Sequence, residues 1–158
     1  MRSFVAGGLY FRAVRRSNTT DEFFVGVPSK LVYDALVDPR RIDEWWPGAS
    51  ASGTDGRLAL RAPGFGKFAR PIRFEARVDG MRDGEGLTWW LESGPLRGRG
   101  EWWLETFRAG TIVHYYLEVE RPGGKRRGLM RAVRRHRWGV RRGINALKDR
   151  LEGRSRIA

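Results

Sequence analysis

The stretch Phe24–Pro39 reads FVGVPSKLVYDALVDP and decides the fold, because its pattern of apolar residues changes partway along. Phe23, Val25 and Val27 occupy every second position, which predicts a strand with one buried face. Pro28 follows directly and closes that strand. The fold therefore opens on a strand that leads at once into a different element.

Two short helices are predicted after this strand. Ser29 is expected to cap the first helix. The helix ends at Asp38 and Pro39, because the residue before a proline avoids the helical region. Its apolar residues are Leu31, Val32, Ala35 and Leu36. The segment Arg40–Trp46 is expected to add a second helical turn or two, which Pro47 terminates.

From this point to Arg121 the apolar residues recur with a period of two, and glycines and prolines interrupt them often. The pattern predicts five further strands: Arg57–Ala62, Ile72–Gly80, Leu87–Ser93, Gly100–Phe107 and Thr111–Glu120. The second and the fifth of these alternate cleanly between apolar and polar residues. Such alternation is typical of antiparallel strands with one face on a core and one face in water.

The period changes to 3.6 only near the end of the chain. One apolar stripe is formed by Met130, Val133, Val140, Ile144, Leu147 and Leu151. It predicts a single long helix that extends to about Glu152. The order strand, two short helices, several strands and one long helix predicts an α+β fold, in which a curved antiparallel sheet wraps around the C-terminal helix.

The chain has 158 residues, which is enough for one domain that buries roughly two-thirds of its unfolded surface. It has no cysteine, which excludes disulfides, a thiol nucleophile and a zinc-finger site. No apolar run approaches the roughly 20 residues that cross a bilayer, and no secretory signal is expected. We expect a basic extension over residues 1–18, one domain over 19–153 and a tail over 154–158.

The net charge of +13 is concentrated in the last quarter of the sequence. Residues 1–120 hold 17 Lys and Arg against 16 Asp and Glu, whereas residues 121–158 hold 14 against 2. A protein that binds nucleic acid across a whole face usually spreads its charge more widely. The excess charge therefore belongs to the long helix.

Four stretches of the sequence are similar to the START-like, or SRPBCC, superfamily, in particular its polyketide cyclase/dehydrase and lipid-transport branch. Phe24–Pro39 resembles the opening strand and first helix of that family, and Arg40–Pro47 resembles its Trp-rich second helix. The tetrapeptide SGPL at 93–96 resembles a strand connection of aromatase/cyclase members, and Arg141–Lys148 resembles the closing helix. The resemblance covers residues 19–152.

This resemblance implies a helix-grip fold around a large internal cavity that takes an apolar ligand. Independently of the resemblance, two scattered histidines and no cysteine argue against a transition-metal site, and we expect no cofactor. Members of the family include ring-forming enzymes, lipid carriers and proteins with no known reaction, so the function must be argued from the residues of this chain. We expect a cytoplasmic protein whose contact with a membrane, if it has one, is peripheral.

Three pairs of adjacent tryptophans distinguish the sequence, and two of the pairs lie on consecutive predicted strands. If the hairpin between these strands is centred near Leu96, Trp90 faces Trp102. Their apolar neighbours disagree about which member of each pair points inward, and we predict Trp90 and Trp102. The inward pair is either ordinary core packing or a flat wall that stacks on a planar ligand. The outward pair would suit a homodimer contact or a membrane.

His136 lies on the apolar stripe and should face the sheet. It is either a core histidine or a group that moves a proton in the enolisation or dehydration of a polyketone. Tyr115 and Arg70 are further catalytic candidates, because they could donate hydrogen bonds to an enolate from inward-facing positions. The predicted ligand-binding residues are Trp46, Phe74, Trp90, Trp102, Tyr115, His136 and Val140.

Nine basic residues and no acid lie between Lys125 and Arg142. The residues expected on the outer surface of the helix are Arg127, Arg131, Arg134, Arg135 and Arg142. This surface is either a solvated face or a binding surface for an anionic membrane or a phosphate-bearing partner. Nucleic acid is the rival partner.

Three functions are consistent with these observations, and we rank them. The first is a binding or carrier protein for a hydrophobic small molecule that is aromatic, polyketide-like or lipid-like. The second is a polyketide cyclase or aromatase that acts through His136. The third is a nucleic-acid-binding protein, and charge alone favours it.

Overall fold

A computed structural model describes residues 16–53, 57–62 and 70–153. The strands are β1 Arg16–Val25, β2 Ser50–Ser52, β3 Arg57–Ala62, β4 Ile72–Arg82, β5 Gly86–Ser93, β6 Arg97–Phe107 and β7 Gly110–Glu120. The α-helices are α1 Ser29–Leu36 and α2 Arg126–Leu151, and a 3-10 helix spans Pro39–Glu44. The predicted order of elements is confirmed, and the structure adds the three-residue strand β2.

All the described strands belong to one antiparallel sheet with the order β1-β7-β6-β5-β4-β3-β2. The first strand of the chain pairs with the last, from Arg16 opposite Glu120 to Val25 opposite Thr111. The N-terminal extension that we predicted at 1–18 therefore includes three residues of β1, and the rest of it lies outside the described residues. The curved antiparallel sheet with a long C-terminal helix is confirmed.

Alternation along β7 shows how the sheet forms its core face. Val113, Tyr115, Leu117 and Val119 are buried, whereas the residues between them are half-buried on the other face. This is the pattern that the sequence predicted for the strand, and it places Tyr115 among the apolar residues of the interior.

Helix α2 packs on this face with a stripe that differs slightly from the predicted one. Leu129, Val133, His136 and Val140 are buried at steps of four, three and four residues. Met130 was expected in the stripe, but its side chain is 41% exposed. The expectation is wrong because Met130 is rotated about 100° from Leu129, which occupies that position of the stripe.

The segment after β1 differs from the prediction at its cap. Ser29 is the first residue of α1, Pro28 occupies the N-cap position, and no side chain caps the helix. The predicted Ser29 cap is therefore wrong. The carboxylate of Asp38 accepts a hydrogen bond from the backbone N–H of Arg40 and so begins the 3-10 helix. This helix is the second helical turn that we predicted over Arg40–Trp46, but it starts one residue earlier and ends two residues earlier.

Candidate functional site

The register of the β5–β6 hairpin decides which tryptophans enter the interior. Trp89 pairs with Gly100, and Leu91 pairs with Gly98, so the hairpin is centred near Gly94 and Pro95 instead of Leu96. This displacement reverses the side of the sheet to which each β5 residue points. Trp89 and Trp102 are both buried as a result.

The predicted inward position of Trp90 is therefore wrong. Trp90 is 38% exposed on the outer face, where its indole N–H donates a hydrogen bond of 2.7 Å to the carboxylate of Asp79. Trp103 is 54% exposed on the same face of the sheet, with the guanidinium of Arg82 over its ring. Trp90 is accordingly removed from the candidate ligand-binding residues.

Seven rings make a continuous set of contacts between the sheet and α2, and we call them the aromatic cluster. Its members are Trp45, Trp46, Phe74, Trp89, Trp102, Tyr115 and His136. The ring centroids of Trp102 and Tyr115 are 4.3 Å apart, and that of His136 lies 5.8 Å from Tyr115. Further contacts at 5.7–6.2 Å connect the remaining four rings to these three. The cluster thus extends from β4 across the sheet to the 3-10 helix.

One buried hydrogen bond lies within the aromatic cluster. The hydroxyl of Tyr115 and Nε2 of His136 are 2.7 Å apart, and both side chains are buried. Burial lowers the pKa of His136 to about 4, although the negative charge of Asp21 opposes the shift. Burial also raises the pKa of Tyr115 well above its ordinary value, and the charge of Asp21 adds to that shift. The pair is therefore neutral at pH 7.

Gly100 faces this hydrogen bond from the neighbouring strand β6. A Cβ at position 100 would lie 2.7 Å from the hydroxyl oxygen of Tyr115 and 3.4 Å from Nε1 of Trp89. A side chain there would displace the hydroxyl, so only glycine leaves Tyr115 and Trp89 in their present positions. The sequence analysis did not single out Gly100.

Two glycines of α2 contact the tryptophans that follow the 3-10 helix. A Cβ at Gly139 would lie 2.7 Å from Cζ2 of Trp46, and a Cβ at Gly143 would lie 2.8 Å from Cζ3 of Trp45. Both indoles are buried against the helix backbone. These glycines therefore allow the two tryptophans to approach the helix closely.

Three indole nitrogens of the aromatic cluster are buried and find no hydrogen-bond acceptor among the described residues. They belong to Trp45, Trp46 and Trp89. A buried donor without an acceptor costs about 1–3 kcal/mol. The interior thus has an excess of donors, which a molecule with acceptor oxygens could satisfy.

An ion pair flanks the cluster on strand β1. Asp21 is buried, with its side chain only 1% exposed, and Arg137 donates two hydrogen bonds of 2.6 Å to its carboxylate. Arg141 donates a third at 3.0 Å. Burial alone would raise the pKa of Asp21, but the hydrogen bonds from the two arginines outweigh it and hold the pKa below its ordinary value. Asp21 thus stays charged and joins β1 to α2.

The other predicted site residues fall into two groups. Trp46, Phe74, Trp102 and Val140 are buried in the interior, and their contact with a ligand stays a prediction. Arg70 is exposed ahead of β4, so its predicted inward position is wrong. The reason is that Arg70 precedes Pro71 and lies outside the paired part of the sheet, where alternation would fix its direction.

Besides Gly100, the sequence analysis missed three residues that the structure places in or beside the cluster. Trp45 and Trp89 are buried members of it, and Asp21 carries the ion pair. Asp21 shares the alternation of Phe23 and Val25, so its inward position could have been found from that pattern. Trp45 carried no such signal, because the irregular turn after the 3-10 helix has no period.

Within the described ranges, no group of three His, Asp or Glu side chains could hold a metal ion. No helix in those ranges is long and apolar enough to cross a membrane. The basic surface expected on α2 is present, because Arg127, Arg131, Arg134, Arg135 and Arg142 are all exposed.

No protein-family model matches this sequence, and no curated protein is significantly similar to it. Solved structures do match. The Zhui aromatase/cyclase from Streptomyces sp. R1128 has a TM-score of 0.71 and 18% identity, over 90% of this chain and 98% of that one. TTHA0849 from Thermus thermophilus has a TM-score of 0.68 and 19% identity, over 88% of this chain and 100% of that one.

Ara h 8.0201 is similar with a TM-score of 0.65 and 14% identity, over 88% of this chain and 99% of that one. At these identities the likeness establishes the fold alone. It confirms the helix-grip architecture that the sequence resemblance implied, and it leaves the chemistry to the residues described above.

Proposed function

We propose that this chain, which has a START-like fold, binds a planar, largely apolar small molecule between the sheet and α2. The observation that carries the proposal is the aromatic cluster with the Tyr115–His136 hydrogen bond inside it. Aromatic side chains favour offset and edge-to-face contacts with flat rings. A flat aromatic ligand therefore suits this interior better than a flexible acyl chain.

The polar groups of the cluster define the second property of the ligand. The indole N–H of Trp89 lacks an acceptor among the described residues, and the hydroxyl of Tyr115 lies on the other side of Gly100. When Nε2–H of His136 donates to Tyr115, the phenol proton is free to donate to a ligand. The ligand we propose thus carries at least one carbonyl or phenolic oxygen as acceptor.

A matched pair of probes tests this assignment. 2-Acetylnaphthalene and 2-ethylnaphthalene have nearly the same shape, and only the first has a carbonyl. We expect the native chain to bind the ketone about tenfold more tightly, measured by calorimetry, because one net hydrogen bond is worth about 1 kcal/mol or more. Tyr115→Phe should remove this preference.

Tyr116→Phe is the control, because Tyr116 lies on the opposite face of the same strand beneath the guanidinium of Arg99. It should leave the preference for the ketone intact. Failure of the native chain to bind either probe, or equal binding of both, would contradict the proposed ligand class.

The second candidate function is ring closure of a polyketide-like substrate. Its specific support is the likeness to the Zhui aromatase/cyclase together with the buried Tyr115–His136 pair. In such a closure a C–H between two carbonyls loses its proton to water, the resulting enolate forms a C–C bond to another carbonyl carbon, and the oxygen of that carbonyl takes up a proton from water. Tyr115 would donate to the enolate oxygen. His136, with a pKa of about 4, is a weak base at pH 7 and would position Tyr115.

Product analysis separates the enzyme from the binding protein. The chain would be incubated with a synthetic poly-β-ketone, and the cyclised products would be resolved by chromatography and mass spectrometry. A cyclase predicts that Tyr115→Phe and His136→Ala change the distribution of products. If both variants give the distribution of the uncatalysed reaction and so does the native chain, the enzyme candidate is removed and the binding role stands.

A further inference from the structure

The outer surface of α2 carries a straight line of arginines on the side opposite its buried stripe. Arg127, Arg131, Arg134 and Arg135 fall within about 100° of the helix circumference at 100° per residue. Trp138 and Arg142 continue the same line, with the guanidinium of Arg142 4.8 Å from the indole ring. We call these six residues the arginine stripe. From Arg127 to Arg142 it extends about 22 Å at 1.5 Å per residue.

Other arginines of this helix are neutralised within the fold. Arg137 and Arg141 pair with Asp21, and Arg150 pairs with Glu44. In the part of the chain that the structure describes, the four arginines from Arg127 to Arg135 make no ion pair. Ion pairs within the fold thus involve Arg137, Arg141 and Arg150, whereas Arg127, Arg131, Arg134 and Arg135 are exposed to solvent.

The stripe works against the stability of its own helix. Arg127 lies in the first turn, which contains no acidic residue, so its charge opposes the helix dipole. Arg127 and Arg131 are four residues apart, as are Arg131 and Arg135, and like charges at that spacing repel. An arrangement that local stability disfavours is better explained by a partner with negative charge.

We propose that the arginine stripe docks the protein on the surface of an anionic lipid bilayer. Basic residues near such a surface are each attracted to the acidic headgroups. A tryptophan within the stripe fits the same occupant, because indoles favour the boundary between headgroups and acyl chains. Met130 adds exposed apolar surface at the start of the helix.

The inner side of α2 favours a bilayer over a nucleic acid as the occupant. His136 and Val140, candidates for ligand contact, lie on the face of the helix opposite the stripe. Docking would therefore bring the interior within one helix diameter, about 10 Å, of the lipid. Because an apolar ligand is concentrated in lipid, this placement would favour uptake of the ligand from the bilayer or its delivery to the bilayer. This step rests on the proposed function, whereas the docking itself does not.

Vesicle flotation of the full chain tests the docking. Vesicles of phosphatidylcholine, with or without about 30% phosphatidylserine, would be compared at about 50 mM and about 500 mM salt. We expect binding only to the vesicles that contain phosphatidylserine, and only at the lower salt concentration. Replacement of Arg127, Arg131, Arg134 and Arg135 by glutamine should weaken that binding at least about 100-fold.

A charge-matched control replaces Arg16, Arg61, Arg73 and Arg97, which are exposed on the sheet, by glutamine. This variant should bind nearly as well as the native chain. Equal loss in the two variants would show an effect of net charge alone and overturn the proposal, as would absence of binding by the native chain. Tighter binding to duplex DNA or RNA than to vesicles, lost with the stripe, would assign the stripe to nucleic acid instead.

The stripe variant also keeps the two proposals separate. It should bind 2-acetylnaphthalene as the native chain does, because none of its replaced side chains faces the interior. Vesicle binding by a chain that fails to bind either naphthalene would leave the docking in place and remove only the proposed ligand. Probe binding without vesicle binding would remove only the docking.

Discussion

The hydroxyl of Tyr115 lies 2.7 Å from Nε2 of His136, in an interior that is mostly apolar and aromatic. The two residues come from β7 and α2, so their hydrogen bond joins the sheet to the helix that it surrounds. Buried polar pairs of this kind rigidify a core when both members are satisfied. The bond therefore serves the fold and the candidate site together.

Removal of the hydroxyl should expose its contribution to stability. We expect Tyr115→Phe to lower the free energy of unfolding by about 1–2 kcal/mol, because His136 is left buried without a partner. Urea denaturation measures the change. An unchanged or increased stability would contradict a satisfied pair in the native protein.

The contact between Gly100 and Tyr115 predicts coupling between two substitutions. Gly100→Ala alone should cost about 1–3 kcal/mol, because its methyl group would press on the hydroxyl oxygen. In a Tyr115→Phe background that oxygen is gone, so the same substitution should cost about 1–2 kcal/mol less. A double-mutant cycle in urea measures this difference, and additive effects would show that the two residues do not touch.

As the pH falls, protonation of His136 should lower the free energy of unfolding before protonation of Asp21 does. The pKa of His136 falls from an ordinary 6.5 to about 4 in the folded chain, so the unfolded state takes up the proton first. The free energy of unfolding should decrease by about 1.4 kcal/mol per pH unit between about pH 6.5 and about pH 4. His136→Gln should flatten this slope. An equal slope in the native chain and in this variant would contradict the burial of His136.

The geometry of the Asp21 ion pair predicts that its two arginines contribute unequally to the free energy of unfolding. Arg137→Ala should cost about 2–4 kcal/mol, because it removes the bidentate partner of a buried carboxylate. Arg141 is 59% exposed, so Arg141→Ala should cost no more than about 1 kcal/mol. Because the pKa of Asp21 is lowered, this contribution is present at neutral pH and is lost below about pH 4. A reversed order of the two costs at pH 7 would contradict the assigned geometry.

The glycines of α2 offer a test of the close tryptophan contacts. Alanine normally stabilises a helix interior by about 1 kcal/mol relative to glycine. Gly143→Ala should instead destabilise the protein by about 1 kcal/mol, because its methyl group meets the ring of Trp45. At Gly128 the added methyl meets only the flexible end of Arg121, so Gly128→Ala should be neutral or stabilising. Thermal unfolding of the two variants compares them, and equal effects would contradict the tight packing.

The sequence predicted the fold well because its signals were local and periodic. Alternation located β4 and β7, and the change to a 3.6-residue period located α2. The inward position of His136 followed from the spacing of its neighbours along that helix. Each of these features depends only on residues a few positions apart.

The errors arose where the structure depends on a register or a distant contact. Trp90 was placed inward because the centre of a glycine-rich hairpin cannot be derived from alternation, and a shift of that centre exchanged it for Trp89. The partner of Asp21 is 116 residues away along the chain, so the ion pair had no local signal. The contact of Gly143 with Trp45 likewise required the folded arrangement of two elements.

The indole N–H groups provide the most direct test of ligand binding in the aromatic cluster. Titration of the ¹⁵N-labelled chain with 2-acetylnaphthalene would follow the indole resonances by NMR, assigned through single Trp→Phe variants. We predict large shifts for Trp89 and for one or both of Trp45 and Trp46, and none for the outer-face residues Trp90 and Trp103. Shifts confined to Trp90 and Trp103, or no shift at any indole, would contradict a ligand site between the sheet and α2.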